Sequence, residues 1–163
     1  MSFARPWSEY VQGFGDVLGE YWIGLQHVYR LTKQGSEIYF DMEMGEDIHN
    51  FAHYKNFTVH SSLTDFRLQV NTTGYNGSIE ESLSHNHGMK FSTFDRDNDQ
   101  SEENCSKQRS GSAGWWFNKC SYGNVNGSYV KRETGGLAHW YYGVVSFKSV
   151  TIKVKSMLGS CCK

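Results

Sequence analysis

The chain has 163 residues, enough to bury one hydrophobic core but too few for two independent domains of ordinary size. Its 16 lysines and arginines against 17 aspartates and glutamates leave a formal net charge of −1, so it lacks the basic excess with which proteins usually bind nucleic acid. With 38% apolar residues, no apolar run of the roughly 18 residues that a membrane span needs, and 17 glycines beside a single proline, the composition excludes a membrane span, a coiled coil and a wholly disordered protein.

Two short helices are predicted near the start of the sequence. In the first, apolar residues fall at helical spacing and glycines end the segment: Trp7, Tyr10, Val11 and Phe14, with Gly13 and Gly15. The second follows Gly24, has Leu25, Val28 and Tyr29 on one face, and stops at residues 33–35.

Three strands are predicted where the apolar period changes to two. Apolar and polar residues alternate over residues 38–44, 66–70 and 150–154. Residues 71–143 are instead rich in Gly, Asn, Ser and Asp, with aromatic residues that can anchor loops on a scaffold. We therefore expect the functional chemistry to lie in this irregular half.

The four cysteines are Cys105, Cys120, Cys161 and Cys162. They contain no CxxC pair, and neither of the first two has a histidine at ligand spacing, so a zinc site is not indicated. One loop-closing disulfide between Cys105 and Cys120 is the simplest use of that pair. The adjacent cysteines near the C-terminus are typical of a tail or of an intermolecular link.

Five N-x-S/T sequons occur, at Asn56, Asn71, Asn76, Asn104 and Asn126. Their number indicates a secreted glycoprotein, whose signal peptide is not part of this sequence; the alternative is a surface rich in Asn, Ser and Thr. The candidate glycosylation sites are Asn56, Asn71, Asn76 and Asn126. The cysteine that follows Asn104 hinders glycosylation there if it is bridged.

The sharpest local signal is an acidic segment with carboxylates at alternate positions, Asp95, Asp97 and Asp99. Neighbouring carboxylates repel unless a cation draws them together, and oxygen ligands at this density suit Ca²⁺. The segment is not an EF-hand, because Gln100 occupies the position that needs glycine and Ser106 the position of the bidentate glutamate. The spacing alone leaves two alternatives, a calcium loop and a solvated acidic turn.

Together these segments resemble the fibrinogen C-terminal domain family, which includes the ends of the fibrinogen β and γ chains, ficolins, tachylectin-type lectins, angiopoietins and tenascins. The resemblance runs from about Phe3 to Lys155. It rests on several motifs in the family's order: Trp7-x-x-Tyr10-x-x-Gly13-Phe14-Gly15, Gly19-Glu20-Tyr21-Trp22-Ile23-Gly24, Phe91-Ser92-Thr93-Phe94-Asp95-x-Asp97-Asn98-Asp99, Asn104-Cys105, Gly114-Trp115-Trp116, Asn118-x-Cys120 and Asn124-x-Asn126-Gly127.

The resemblance implies an α+β fold, with short helices packed on a twisted, mostly antiparallel sheet and a loop-rich subdomain that binds calcium and ligand. Residues 1–156 would form this domain and residues 157–163 a C-terminal tail. Family domains ordinarily carry an upstream subdomain with its own disulfide, and this sequence begins after it. We therefore expect a fragment rather than a short form with an exposed strand edge.

The resemblance also implies the calcium ligands. Transferred by position, they are the carboxylates of Asp97 and Asp99 and the backbone carbonyls of Ser101 and Glu103. Backbone ligands tolerate a change of side chain, so the last two are compatible with the family's motif.

Two further features are expected around the second cysteine. The resemblance implies a disulfide between Cys105 and Cys120, and often a cis peptide bond just before the second cysteine, here Lys119–Cys120. The paired tryptophans upstream, Trp115 and Trp116, are more typical of core or loop anchors than of a ligand platform.

The family's ligand pocket lies beside the calcium site. Its positions in this sequence are Gln108, Arg109, Lys119, Ser121, Leu137 and Ala138. Members that bind acetylated sugars commonly have histidine directly after the second cysteine and an aromatic residue near position 109, and the fibrinogen γ pocket has an acidic residue there; this sequence has none of these. With Lys107 and Lys119 nearby in sequence, Arg109 predicts an electropositive pocket for an acidic or sulfated glycan or an acidic protein surface. The alternative is that Arg109 points into solvent.

We expect a secreted, calcium-binding recognition module, lectin-like and of the pattern-recognition kind used in innate immunity, that binds glycans through this pocket. The alternative is a protein-binding domain of an extracellular-matrix or growth-factor-like ligand of the angiopoietin or tenascin type. An enzyme is not predicted, because His85 and His87 join no catalytic triad or metal-hydrolase spacing. Oligomers would form through upstream regions or through Cys161 and Cys162.

Overall fold

A computed structural model describes residues 1–44, 48–128, 138–140 and 148–157. The helices in these ranges are α1 (Trp7–Gln12), α2 (Leu25–Thr32) and α3 (Cys105–Arg109), and none of them is long and apolar enough to cross a membrane. The strands are β1 (Phe14–Gly15), β2 (Tyr21–Trp22), β3 (Ser36–Met44), β4 (Ile48–Val59), β5 (Leu68–Asn71), β6 (Asn76–Gly77) and β7 (Ser149–Ser156). Single 3-10 turns lie at Ser62–Thr64 and Ser84–Asn86. The fold is α+β, as the sequence predicts.

An antiparallel sheet of five strands organises the described part of the protein. β3 lies between β4 and β7, β4 also pairs with β5, and β6 pairs with β4 through Gly77 and Ala52. Side chains alternate along β3, so that Ile38, Phe40 and Met42 are buried in the core. We call this side of the sheet the inner face and the opposite side the outer face.

The first helix is shorter than its apolar pattern. α1 ends at Gln12 and is followed by Gly13, which has a φ of 104°. A Cβ at Gly13 would lie 2.9 Å from the carbonyl oxygens of Trp22 and Ile23, so the position requires glycine. The backbone then turns into β1, where Phe14 pairs with Trp22 of β2. Phe14 therefore lies in a strand and not on the helix that its spacing predicts. α2 ends where predicted, before Lys33.

Tryptophans pack the irregular half of the sequence on the inner face of the sheet. The ring centroid of Trp116 lies 6.5 Å from that of Phe57 in β4, and Trp140 lies 5.2 Å from Phe40 in β3. Trp115 and Trp116 are only 1% and 3% exposed, which confirms that the paired tryptophans are core anchors. The loops that follow them are therefore held on the inner side of the sheet.

The longest strand, β4, is absent from the sequence prediction because its alternation is interrupted. The ladder between β3 and β4 shifts register between Ser36 and Ile38. At this bulge Lys55 and Asn56 of β4 are both exposed, although they are consecutive residues. Two adjacent polar residues and an irregular register remove the period-two signal.

The predicted strand at residues 66–70 begins two residues later than its pattern. Phe66 has a φ of 52°, and its N–H donates to the carbonyl oxygen of Ser61 at 3.1 Å, so this residue closes a turn although its side chain is fully buried. At the far edge of the sheet, β7 covers the predicted residues, but Ile152 and Val154 are 37% and 36% exposed. Burial on this strand is therefore weaker than its alternation suggests.

Candidate functional site

The acidic segment forms a series of tight turns. Asp97 Oδ1 accepts a hydrogen bond from the N–H of Asp99 at 3.2 Å, and Asp99 Oδ1 accepts one from the N–H of Ser101 at 2.9 Å. Ser101 Oγ in turn accepts from the N–H of Glu103 at 3.4 Å. Each bond runs from a side chain to the N–H two residues on, as in Asx and Ser turns. The residues predicted as calcium ligands are therefore the residues that shape this loop, which we call the acidic loop (residues 97–103).

Asp99 connects the acidic loop to the disulfide. Its Oδ2 accepts a hydrogen bond at 2.8 Å from the N–H of Cys105, the first residue of α3. Cys105 and Cys120 form the predicted disulfide, with their Cα atoms 5.3 Å apart. Asn104 caps α3, because its Oδ1 accepts from the N–H of Lys107 at 3.0 Å. The acidic loop, the short helix and the disulfide are thus one structural unit.

Asp97 and Asp99 are both acidic, and the ion pairs of the described residues do not include them. In the part of the protein that the structure describes, no lysine, arginine or histidine forms an ion pair with Asp97 or Asp99. Burial, and then the negative charge of Asp97, raise the pKa of Asp99 above its ordinary value. A divalent cation held between the two carboxylates relieves this repulsion, and carboxylate and carbonyl oxygens are ligands that Ca²⁺ prefers. The residues present therefore fit calcium.

Backbone oxygens are needed to complete such a site. Among the described residues, no group of three or more His, Cys, Asp or Glu side chains is placed to hold a metal ion. Ca²⁺ takes 6–8 oxygen ligands in general, and backbone carbonyls commonly supply several of them. Two carboxylates alone therefore make an incomplete site, and the carbonyls of Ser101 and Glu103 are the ones that the sequence motif adds.

Asp95 has a different role from the other two aspartates. Its Oδ1 accepts from the N–H of Trp7 at the start of α1, at 2.9 Å, and from Thr93 Oγ1 at 2.7 Å. The guanidinium carbon of Arg96 lies 4.2 Å from the centroid of the Trp7 ring. These contacts fasten α1 to the segment that precedes the acidic loop.

The peptide bond between Lys119 and Cys120 is trans, like every other peptide bond of the described residues. This corrects the cis bond that the resemblance implies. The trans form is favoured by about 3 kcal/mol for a residue other than proline. In this conformation the N–H of Asn118 donates to the carbonyl oxygen of Cys120 at 2.7 Å and closes a turn.

Polar side chains gather just after the second cysteine. Asn86, which is fully buried, donates from Nδ2 to a backbone carbonyl at 2.7 Å and to Ser121 Oγ at 3.2 Å. His139 Nε2 lies 3.2 Å from the carbonyl oxygen of Ser121, and the ring of Tyr122 stacks on that of His85 with centroids 4.0 Å apart. With a further buried asparagine they form what we call the polar cluster: His85, Asn86, Ser121, Tyr122, Asn124 and His139.

Three buried atoms of the polar cluster find no hydrogen-bond partner within the described ranges: His85 Nε2, Asn86 Oδ1 and Asn124 Nδ2. A buried polar atom without a partner costs about 1–3 kcal/mol, so such atoms mark a place for water or for a ligand. Burial also lowers the pKa of His85, which keeps its imidazole neutral at neutral pH. The cluster therefore contains buried donor and acceptor atoms that the described residues leave without a partner.

Asn118 joins the polar cluster to the acidic loop. Its carbonyl oxygen accepts from the N–H of Gln100 at 3.1 Å, and its Nδ2 donates to the carbonyl oxygen of His85 at 3.1 Å. Asn118 therefore contacts both the acidic loop and the polar cluster.

Only part of the predicted pocket coincides with the polar cluster. Ser121 belongs to it, and Ala138 directly precedes one of its members but is itself 2% exposed. Ala138 is therefore a buried residue in this structure and presents little surface to a ligand. Leu137 lies outside the described residues, as do Cys161 and Cys162.

The basic residues of the predicted pocket are all exposed. Lys107, Gln108 and Arg109 lie on α3, and Lys119 lies next to the disulfide that holds this helix. Within the described ranges, no acidic side chain forms an ion pair with any of the three cations. Their charge is therefore directed to solvent, where an anionic ligand can reach it.

The candidate glycosylation sites differ in burial. Asn56, Asn71 and Asn76 are exposed on β4, β5 and β6. Asn126 is only 4% exposed, and its Nδ2 donates to the carbonyl oxygen of Gly114 at 3.0 Å. An N-glycan is attached through that nitrogen, so the fold corrects this candidate: Asn126 is a packing residue.

Most of the polar cluster carries no recognisable motif in the sequence. His85 and His87 stand out in the sequence only as a candidate catalytic pair, and the structure uses both in packing: His87 Nδ1 accepts from the N–H of Val70 at 3.1 Å. Asn86 and Ser121 meet across 35 positions of the sequence. Only the run of polar residues around His85 could have indicated this site.

Comparisons with known proteins agree with this architecture. The family model for the C-terminal globular domain of the fibrinogen beta and gamma chains matches residues 1–157. Human tenascin-R is 38% identical over 141 residues, which are 86% of this chain and 10% of tenascin-R, so the chain spans about a tenth of that relative. The fibrinogen-like globe domain of human ANGPTL2 is similar with a TM-score of 0.86 at 28% identity, over 96% of this chain and 74% of that one. Lamprey fibrin D-dimer, complexed with the peptide Gly-His-Arg-Pro-amide, is similar with a TM-score of 0.87 at 26% identity, over 100% of this chain and 60% of that one.

Proposed function

Because the protein belongs to the family of C-terminal globular domains of the fibrinogen beta and gamma chains, we propose that it is a calcium-stabilised recognition module of a secreted protein. Its proposed ligand is an acidic or sulfated glycan, bound at the polar cluster and the basic residues beside it. The observation that carries the proposal is the double role of Asn118, which bonds to the acidic loop at Gln100 and to the polar cluster at His85.

Calcium is proposed to bind the carboxylates of Asp97 and Asp99 and the backbone oxygens of Ser101 and Glu103. Neither aspartate forms an ion pair within the described ranges, and burial raises the pKa of Asp99; both observations support this assignment. When bound, the ion supplies the positive charge that holds the two carboxylates together. Asp99 then orders α3 and the disulfide through its hydrogen bond to Cys105.

An anionic glycan is favoured by charge and by hydrogen-bonding chemistry. The guanidinium group of Arg109 matches a sulfate or carboxylate with two parallel donors, and Lys119 adds a second exposed cation. The partly exposed members of the polar cluster, among them Ser121 and Tyr122, can offer hydroxyl groups to the polar groups of a sugar. Neutral His85 adds no positive charge at neutral pH, so the attraction for anions comes from the exposed basic residues.

Secretion is supported by two independent features. The Cys105–Cys120 disulfide is of the kind that persists in oxidising compartments. Three sequons have exposed asparagines, as glycosylation in the secretory pathway requires.

A protein ligand is the second candidate, and the comparisons favour it. The sequence is 38% identical to part of human tenascin-R, and the similar lamprey fibrin structure holds a bound peptide. In this case the same basic residues would meet an acidic surface of the partner.

A glycan array separates the two candidates when it is run with calcium and again with a chelator. Binding of sulfated or carboxylated glycans that disappears with the chelator supports the proposal. Preferential binding of neutral or amino sugars contradicts it. The absence of glycan binding on the array, together with calcium-dependent capture of an acidic extracellular protein, would assign a protein ligand to the module.

A further inference from the structure

The three exposed sequons lie on the outer face of the sheet. In the ladder between β4 and β5, Asn56 is the register partner of Asn71, and in the ladder between β4 and β6, Asn76 is the partner of His53. Cross-strand partners point to the same face. The three asparagines and His53 all point away from the core, whereas Phe57, which follows Asn56 along β4, is buried.

An aromatic pair lies on this outer face beside Asn76. Tyr39 of β3 and Phe51 of β4 are stacked, with ring centroids 5.3 Å apart and ring planes within 6°. Both rings are half-buried. His53 lies 6.0 Å from Tyr39, and Lys153 Nζ lies 5.5 Å from the centroid of the same ring. The pair is therefore an apolar platform within a face that is otherwise polar.

The sequon of Asn76 is built directly against Phe51. Ser78, which supplies the hydroxyl of this sequon, accepts from the N–H of Phe51 at 2.9 Å, and its own N–H donates to the carbonyl oxygen of Phe51 at 3.0 Å. Asn76 is thus the diagonal neighbour of Phe51 on the outer face, and diagonal neighbours lie about 7–8 Å apart. The intervening Gly77 has no room for a side chain, since a Cβ would lie 2.8 Å from the carbonyl oxygen of Phe51. The attachment point at Asn76 therefore lies beside the aromatic platform.

We propose that Asn76 carries an N-linked glycan whose first N-acetylglucosamine packs its apolar face on the Tyr39–Phe51 pair. The sugar ring removes exposed aromatic surface from water and gains a contact with the face of the Phe51 ring that Tyr39 does not cover. The glycan covers the outer face and leaves the polar cluster free, because Asn86 of that cluster bonds to Trp116, which packs on the inner face. This inference rests on the proposed secretion but not on the proposed ligand.

Asn71 provides a matched comparison within the same sheet. It is exposed at the end of β5 and carries a complete sequon, like Asn76. Its neighbours on the outer face are Asn56 in the β4 ladder and Gln69 along its own strand, and neither is aromatic. A glycan on Asn71 is therefore expected to extend into solvent without an aromatic contact.

The test compares variants produced through the secretory pathway of cultured eukaryotic cells. Glycopeptide mapping determines the occupancy of each sequon, and thermal unfolding is then measured for Asn76→Gln and Asn71→Gln, each with Phe51 and with Phe51→Thr. We expect Asn76→Gln to lower the melting temperature by about 3 °C, Asn71→Gln to change it by less than about 1 °C, and the Asn76→Gln effect to vanish in the Phe51→Thr background. An equal loss in both backgrounds overturns the proposal.

A second measurement needs no substitution in the sheet. Enzymatic release of the glycan from the native protein should be about tenfold slower at Asn76 than at Asn71, and the two rates should become equal after unfolding. Equal rates in the native protein overturn the packing on Phe51. Occupancy of Asn71 with none at Asn76 overturns the site itself while leaving the proposed recognition function intact.

Discussion

The carboxylate of Asp99 accepts a hydrogen bond from the N–H of Cys105 at 2.8 Å, while its other oxygen accepts from the N–H of Ser101 at 2.9 Å. The side chain of Asp99 therefore links the proposed calcium site directly to the disulfide between Cys105 and Cys120. Because Asp99 is shared in this way, loss of the ion and loss of the disulfide are expected to weaken the same part of the protein.

Replacing Asp99 with asparagine removes one charge from the acidic loop with little change of shape. We expect the calcium-dependent rise in melting temperature to disappear in Asp99→Asn, while the melting temperature in chelator falls by roughly 2–6 °C because the amide has one acceptor oxygen for two N–H donors. The matched control is Asp16→Asn, since Asp16 Oδ1 also accepts from an N–H two residues on, that of Leu18 at 2.9 Å. A full calcium response in Asp99→Asn, measured by calorimetry, would rule out this carboxylate as a ligand.

Calcium affinity is expected to fall as the solution becomes acidic. Burial and the charge of Asp97 raise the pKa of Asp99 in the folded state above its value in the unfolded state. The folded protein therefore binds this proton more tightly, so that in chelator the wild type gains stability relative to Asp99→Asn as the pH falls through the folded-state pKa. In calcium, the proton competes with the ion, and the Kd for calcium rises. Calorimetric titrations across the carboxylate range test this, and a Kd independent of pH would contradict it.

Removing the disulfide should lower the free energy of unfolding by more than any single substitution in the acidic loop. Cys105 and Cys120 are separated by 15 positions, and closing a loop of that length stabilises the fold by about 3 kcal/mol in the chain-entropy model. We expect the double serine variant to lose roughly 6–12 °C in melting temperature. Reduction of the wild type should reproduce that midpoint. A midpoint within about 2 °C of the oxidised wild type would show that the bridge does not stabilise the domain.

The elements with a regular apolar period are the ones that the sequence predicts well. α2 and β3 have their predicted positions because each buries one face, shown by Leu25 in the helix and by Ile38, Phe40 and Met42 in the strand. β4 is missed because Lys55 and its neighbour at the bulge break the alternation. Local sequence cannot report a bulge that depends on the partner strand.

The candidate site likewise has one part that the local sequence predicts and one part that it does not. The acidic loop and the disulfide are encoded by residues close in sequence, from Asp97 to Cys120, and both were predictable. The polar cluster is assembled from distant segments, as the bond between Asn86 and Ser121 shows, and no local spacing encodes it. The burial of Asn126 is likewise invisible in a sequon, since it depends on a hydrogen bond to Gly114.

Reversing the charge of the exposed basic residues tests the proposed anionic ligand. Arg109→Glu and Lys119→Glu should each weaken binding of a sulfated glycan by about tenfold or more, because each replaces an attraction with a repulsion. Lys55→Glu makes the same change of charge on the outer face and should leave affinity within about twofold of wild type. Surface plasmon resonance at two salt concentrations measures both effects. Equal losses in all three variants would mean that only net charge matters and that α3 forms no site.

Calcium is proposed to stabilise this domain through the acidic loop. Thermal unfolding in excess calcium and in chelator tests this proposal most directly. At a calcium concentration about 100 times the Kd, stabilisation of about 2.7 kcal/mol is expected, which is a rise of roughly 5–10 °C for a protein of this size. The rise should be absent in the double variant Asp97→Asn and Asp99→Asn. An unchanged melting temperature of the wild type at millimolar calcium would contradict the account.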